Sequence, residues 1–369
     1  MLGEPMNMDD SFNMDNKLGV QDFSRCGRPA RREFIASLAA LAASALLPER
    51  VFAQQQAVRA PLGWIDVHHH FAPPAYADIL NQKGLTPEPL VGWSPQKTID
   101  DMDRAGVVTA MNSIVCPGVW FGDAGQARSL AREANEYAAK LMVDYPGRFG
   151  NFATLTLPDI DGSLRELEYA LDTLKADGIM LFTSYGDKWM GDPFFEPILE
   201  ELNRRQAVLF IHPTTNACCA NLLPGISSAK IEYGTDTTRA IVRMVYSGAA
   251  KRYPNIRVIF SHGGGTMPYL ITRFVNLHEN ADRRQQQQPD FQAEIAKFYY
   301  DTAQAFNAIP MNALKQAVPM SQILFGTDYP YRSSKESTMG LLASNVFSPE
   351  ELQAVKRGNA LTLLPRLRK

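Results

Sequence analysis

Eight short and nearly unbroken apolar runs recur between residues 64 and 325, each separated from the next by a longer stretch of helical character. They are Trp64–Val67, Thr109–Val115, Gly150–Thr154, Gly178–Phe182, Val208–Ile211, Arg257–Ser261, Phe298–Tyr300 and Ile323–Phe325. A strand that is apolar on both faces has to be covered on both faces, which is the situation in a parallel sheet wrapped by helices. The intervening stretches predict helices over Asp123–Asp144, over Gly162–Ala176 with Asp177-Gly178 closing it, and over Pro193–Arg205. In the last, Asp192 is the natural N-cap and Pro193 the first helical position. Eight strands with their helices in about 300 residues predict an α/β chain folded as a single-domain (β/α)8 TIM-type barrel rather than two separate domains. No internal repeat is visible, and the Gln285–Gln288 run reads as a solvated loop tip.

The residues ahead of this pattern read differently. Arg31-Arg32-Glu33-Phe34-Ile35 is a twin-arginine pair leading into an apolar run, Phe34 to Leu47. Pro48 ends the run, and Val51-Phe52-Ala53 supplies small-residue cleavage spacing before Gln54. Residues 1–53 are therefore expected to be a twin-arginine export signal, placing the protein in the periplasm or outside the cell, with residues 54–369 as the barrel domain. An amphipathic N-terminal helix on a cytoplasmic protein is the alternative, which a run apolar on all sides does not favour. Glu4, Asp9, Asp10, Asp15 and Asp22 are untidy in a leader, and Met14 is a second candidate start. Cys26 leaves with the leader, and Cys116, Cys218 and Cys219 remain, so no essential disulfide is expected.

Charge narrows the partners. With 37 Lys and Arg against 39 Asp and Glu, the formal net charge is −2 and there is no basic block, which argues against nucleic acid. No stretch reaches the roughly 18 consecutive apolar residues of a spanning helix, so stable membrane insertion is not expected. A small molecule is the expected partner, and a homodimer or larger homo-oligomer is compatible with this composition.

Five of the six histidines carry the chemistry. His68, His69, His70, His212 and His262 stand at or just past the C-terminal end of a predicted strand, the end at which barrels build their sites. Alternation puts His68 and His70 on one strand face and His69 on the other, with Asp66 on the His68 face, where it could orient a ligand from behind. A lone His-x-His also fits a packed polar strand end. The company it keeps changes that reading: Val208–Ile211 runs into His212, Val258–Ser261 into His262, and Ile323-Leu324-Phe325-Gly326-Thr327 into Asp328. Four apolar strands delivering a potential ligand at the same end is hard to explain as core packing. His278 lies in a helical stretch and reads as a surface histidine.

The motifs Ile65-Asp66-Val67-His68-His69-His70, His212-Pro213, Ser261-His262-Gly263-Gly264-Gly265, Phe325-Gly326-Thr327-Asp328-Tyr329-Pro330 and Gly358-Asn359-Ala360 resemble the amidohydrolase-related metal-dependent enzymes. More narrowly they resemble the branch containing aminocarboxymuconate-semialdehyde decarboxylase and the hydroxybenzoate decarboxylases. The likeness runs from Trp64 to Leu364. Thr183-Ser184-Tyr185-Gly186-Asp187-Lys188 and Glu201-Leu202-Asn203-Arg204-Arg205 look most like 6-methylsalicylate decarboxylase-type sequences. The resemblance implies that His68, His70, His212 and Asp328 ligate one divalent ion, with Zn²⁺ favoured, and that His262 handles a proton beside it. Three imidazoles and a carboxylate suit that ion and leave a position open. Two departures count: the fourth strand ends without a lysine to bridge two metals, Lys188 coming six residues later, and some hydroxybenzoate decarboxylases carry glutamate where this chain has His68.

Aromatic and basic residues cluster in the loops after the strands: Trp120 and Phe121, then Tyr185, Lys188 and Trp189, then Tyr329, Tyr331 and Arg332. Such a set would hold a flat aromatic acid, and Pro213–Gly234 is long enough for a lid. The leading expectation is non-oxidative decarboxylation of a small aromatic or unsaturated carboxylic acid, with His262 or Asp328 as proton donor. Hydrolysis of an amide, ester or lactone by the same residues is the alternative. A binding protein without turnover is a third class, and it would have no need of a proton-handling His262. A dinucleotide site is not expected, because Gly263-Gly264-Gly265 lacks the spacing of a phosphate-binding turn.

Overall fold

The apolar runs become the staves of a barrel. The structure, a computed structural model, describes residues 63–275 and 289–368. Eight parallel strands follow one another in chain order around one sheet: β1 (Trp64–His70), β2 (Val107–Ser113), β3 (Phe149–Thr154), β4 (Gly178–Phe182), β5 (Val208–His212), β6 (Arg257–Phe260), β7 (Tyr299–Asp301) and β8 (Ile323–Leu324). The expected (β/α)8 barrel is therefore the observed fold. The expected export leader lies outside the described residues, as do His278 and the Gln285–Gln288 run. Among the described residues no helix is long and apolar enough to cross a membrane.

Strand limits agree with the sequence to within a residue for six of the eight. The exceptions are β1, which continues past Val67 to take in all three histidines, and β2, which starts at Val107 and ends at Ser113. The interior is filled rather than hollow. Phe152 of β3 and Phe210 of β5 stack at 5.5 Å, and Phe210 meets the His68 ring edge-on at 5.0 Å, so a floor of aromatic rings lies beneath the histidines.

The ring closes between β8 and β1, and because β8 is so short the closure falls to residues beyond its end. Val67 N–H donates to the Phe325 carbonyl at 2.9 Å, Asp328 N–H to His68 at 2.8 Å, and His70 N–H to Tyr329 at 2.8 Å. The register of β1 on β2 shifts between Asp66 (opposite Ala110) and His69 (opposite Asn112), three residues facing two. This irregularity breaks simple alternation. It puts Asp66 on the His69 side, whereas unbroken alternation would have placed it beside His68.

The outer helices show ordinary capping chemistry. Asp123 accepts from Gln126 N–H to start the helix Ala124–Asp144, which buries Ala127, Ala131, Ala134 and Ala138 along one stripe and so lies close against the sheet. Asp192 caps the turn Pro193–Phe195 that leads into the helix Glu196–Arg204, as expected. The stretch expected as Gly162–Ala176 is instead an α-helix over Ile160–Glu168 capped by Asp159, followed by a wider-wound turn to Thr173. The left-handed residue after it is Lys175 at φ 58°, and Gly178 already belongs to β4.

Gly326 sits on the closing seam. A Cβ there would lie 2.9 Å from the Cβ of His68 and 3.0 Å from that of Asp301, both on neighbouring backbone with no room to retreat. Gly326→Ala is expected to cost about 1–3 kcal/mol of unfolding free energy by urea denaturation. Gly358→Ala, with nothing nearer than 3.6 Å, is the control and stays within error of the parent. An unchanged midpoint for Gly326→Ala would show that the seam has slack.

Candidate metal centre and active site

At the C-terminal mouth of the barrel, five side chains from β1, β5, β6 and β8 converge. Nε2 of His68 lies 3.2 Å from Nε2 of His70, and the two nitrogens are 3.3 and 3.1 Å from Oδ1 of Asp328. The His70 and His212 rings are 4.8 Å apart. Donor atoms of His68, His212, His262 and Asp328 all fall within 4.8 Å of one another. His262 approaches from the other side of the carboxylate, its Nε2 3.3 Å from Oδ2. The expected ligands and the expected proton-handling group are thus brought together, with His68 and His70 facing one oxygen of Asp328 and His262 the other. Both His262 and Asp328 hold the left-handed backbone, at φ 55° and 66°.

His68, His70 and His212 present Nε2 inward because each Nδ1 is engaged outside. Nδ1 of His68 donates to Oδ2 of Asp301 at 2.8 Å, that of His70 to the Ser113 carbonyl at 3.3 Å, and that of His212 to the Pro213 carbonyl at 2.8 Å. This is the arrangement that fixes a metal-ligating tautomer. Asp301, at the end of β7, takes the role expected of Asp66, and its Oδ1 also accepts the backbone N–H of His262 at 3.0 Å. Asp66 instead bonds Nδ1 of His69 and the hydroxyl of Thr327, at 3.0 and 2.6 Å, and His69 stacks on Tyr329 away from the cluster.

Burial is the largest influence on the charge of each group, and the neighbours decide the outcome. His68 is pushed up to about 10 in spite of its burial, because the carboxylates of Asp301 and Asp328 lie against its two nitrogens. Burial lowers His70, with the charge of His68 adding to it. His212 falls well below the ordinary value through burial and its three imidazole neighbours. Asp328 stays well below the carboxylate range although burial opposes this, held by the charge of His68 and by the close approach of His262, His68 and His70. Of the three histidines, only His68 is held towards its charged form.

The residues fit a divalent cation. Bonds of about 2.0–2.2 Å at tetrahedral or octahedral angles set neighbouring donor atoms about 2.8–3.6 Å apart. The separations of 3.2, 3.3 and 3.1 Å among His68, His70 and Asp328 are such edges. Oδ1 of Asp328 is buried without a hydrogen-bond partner, which is costly for a carboxylate oxygen unless a cation meets it. Nitrogen and carboxylate donors with no thiolate complete the case.

Above the cluster opens a cavity of about 600 Å³, lined by His212, His262 and Asp328 and by Val115, Cys116, Tyr233, Gln304, Ala305, Pro310, Tyr331 and Arg332 among others. Tyr331 therefore stands where expected, its ring 6.0 Å from that of His70. Arg332 lines the cavity, but its Nε donates to Gln304 and its Nη1 to Glu336, both at 3.0 Å, so it is not a free cation. Trp120, Tyr185 and Lys188 line a different cavity of about 550 Å³, to which none of the clustered histidines nor Asp328 contributes. The chain turns away after β4: a two-stranded ribbon, Ser184–Tyr185 with Lys188–Trp189, carries Tyr185 and Lys188 off, and Nζ of Lys188 bonds Asp187. Trp189 donates its indole N–H to the buried Asp236 at 2.5 Å, and Phe121 lies under the ammonium of Lys83. Those five residues do not form the pocket expected of them.

Tyr233, Gln304, Asp301 and Cys116 escaped the sequence reading. Asp301 directly follows the predicted seventh strand, so the strand-end rule that found Asp328 would have found it too. Tyr233 had no such signal. The segment expected as a lid, Pro213–Gly234, turns helical at Ala229, and Tyr233 enters the site from the first turns of the helix Ala229–Tyr246, its ring 5.9 Å from that of His212.

A family model described as Amidohydrolase matches residues 65–366. The chain is 38% identical over 321 residues to a protein named Decarboxylase yanB from Aspergillus niger, covering 82% of this chain and 87% of that one. It is 36% identical over 317 residues to the 6-methylsalicylic acid decarboxylase of Penicillium expansum, covering 82% and 97%. Among solved structures, a dihydroxybenzoic acid decarboxylase from Polaromonas with bound manganese and the inhibitor 2-nitroresorcinol superposes with a TM-score of 0.69 at 22% identity, covering 83% and 98%.

Two measurements follow from this geometry. Asp301→Asn, which removes the charge behind His68 but keeps the shape, is expected to weaken divalent-metal affinity about 10–100-fold in a chelator competition, and unchanged affinity would remove Asp301 from the centre. The second concerns the metal-free protein. His68 holds its proton more tightly when folded, so its contribution to stability is complete below pH 6.5 and is lost as pH rises towards 10. His70 and His212 resist protonation when folded, so their contribution is present above pH 6.5 and is lost as pH falls below it. His68→Gln is expected to abolish the alkaline limb of the urea midpoint against pH and to leave the acid limb in place.

Proposed function

Because the chain belongs to the amidohydrolase family, we propose that this mouth of the barrel is the active site of a metal-dependent, non-oxidative decarboxylase acting on a small hydroxybenzoate. The observation that carries the reading is the split at Asp328: Oδ1 faces the Nε2 atoms of His68 and His70, and Oδ2 faces Nε2 of His262. One oxygen is set for a cation and the other for a proton. The names of the relatives, one a decarboxylase and one a 6-methylsalicylic acid decarboxylase, support the same reaction class.

His68, His70, His212 and Asp328 would hold the ion, and its donor set of three imidazoles and one carboxylate favours Zn²⁺. When bound, the ion supplies a Lewis acid that anchors the substrate carboxylate and an adjacent hydroxyl. The rest falls to side chains on this chain. Tyr233 and Tyr331 offer ring faces and edges to a flat substrate, while Val115, Ala305 and Pro310 line the wall with apolar surface that excludes water. His262 and Asp328, in contact through Nε2 and Oδ2, hold the proton that the ring carbon takes up. The electrons of the breaking C–C bond stay with that carbon, the proton replaces the carboxyl group, and CO₂ leaves. No electron acceptor is needed.

The test is a product assay on protein loaded with Zn²⁺ or Mn²⁺ and offered 2-hydroxybenzoates with varied substituents at the 6-position. Release of CO₂, with one deuterium placed on the ring carbon in D₂O, is the expected result. His262→Gln is expected to lower kcat by about 10²-fold with the metal still bound. Water addition to an ester, amide or lactone without gas release would replace this reading with hydrolysis. Binding without turnover, unaltered in His262→Gln, would replace it with a carrier role.

A further inference from the structure

We propose that Gln304 is a positioning residue that restricts Asp328 to single-oxygen engagement of a bound cation and thereby keeps a face of that cation open to substrate. The inference rests on the metal centre described above and adds a residue to it.

Gln304 lies three residues beyond β7 with a left-handed backbone, φ 55°, a conformation that a residue with a long side chain keeps only when its surroundings hold it there. Its side-chain amide bridges two charged groups. Nε2 donates to Oδ2 of Asp328 at 2.8 Å, and Oε1 accepts from Nε of Arg332 at 3.0 Å. The neighbours dictate this orientation, since the flipped amide would set its oxygen against a carboxylate and its N–H against a guanidinium. Arg332 is braced in turn by Glu336.

The two oxygens of Asp328 are therefore treated unequally. Oδ2 has two partners, Gln304 and His262, whereas Oδ1 is buried without a hydrogen bond and faces the imidazoles. A carboxylate anchored at one oxygen cannot swing both onto the same ion. Without the amide only the longer His262 contact restrains that rotation, and a second oxygen on the ion would occupy the position a substrate needs.

Cobalt reports coordination number directly through its visible absorption, independently of any reaction. Gln304→Glu keeps the shape and the bond to Arg332 but replaces the donor with an acceptor, and Gln304→Met removes both. Each variant is loaded with Co²⁺ and compared with the parent, and circular dichroism of the metal-free proteins verifies the fold. The proposal expects both variants to change the visible absorption intensity at least twofold. Co²⁺ affinity should change by about 10-fold. On the metal-loaded enzyme, kcat should fall with less change in KM. Spectra and affinities indistinguishable from the parent in both variants overturn the proposal, whatever happens to turnover. If no hydroxybenzoate is decarboxylated by the parent, the proposed reaction fails while the cobalt spectra still decide the role of Gln304.

Discussion

Three imidazoles and two carboxylates brought into one buried spot are held there against the cost of taking charge out of water. That cost is several kcal/mol for each unpaired ion, and the structure offsets it by leaving none of them alone. Asp301 lies behind His68, carbonyls lie behind His70 and His212, and Asp328 sits among all of them. The cluster is electrically coherent only with positive charge at its middle. A proton drawn to His68 serves that purpose in the bare protein, and a divalent cation serves it better because every Nε2 is already aimed inward.

Much of the architecture was legible because the barrel strands are apolar on both faces and announce themselves as short uninterrupted runs. The candidate site residues were legible for a related reason: His212, His262 and Asp328 each terminate such a run, and a polar residue there has few structural excuses. The pocket was not legible. Loop aromatics such as Tyr185 and Trp189 look alike in sequence whether they face a substrate or fold back, and here the ribbon after β4 and the buried Asp236 decide their fate. Asp66 misled for a more local reason. Alternation assumes a regular ladder, and the register shift in β1 moves Asp66 to the opposite face.

The segment after β7 contributes no ligand to the proposed ion yet governs two that do. Asp301 fixes the ring of His68, and three residues later Gln304 grips the outer oxygen of Asp328. Between them the N–H of Ala303 donates back to Asp301, so the whole turn is tied down. The end of β7 and the turn after it thus act as a scaffold for side chains on β1 and beyond β8, which explains how a stretch with no histidine comes to matter for the chemistry.

The residue that completes the proposed ligand set also completes the ring, since the backbone N–H of Asp328 bonds His68 across the closing seam. First and last staves are joined at the point where the cation would sit. Ion capture there would consequently act as a form of proofreading: a chain that has not yet assembled its final segment cannot offer the carboxylate, and one whose ends are out of register offers it in the wrong place. Only a correctly finished barrel is riveted shut.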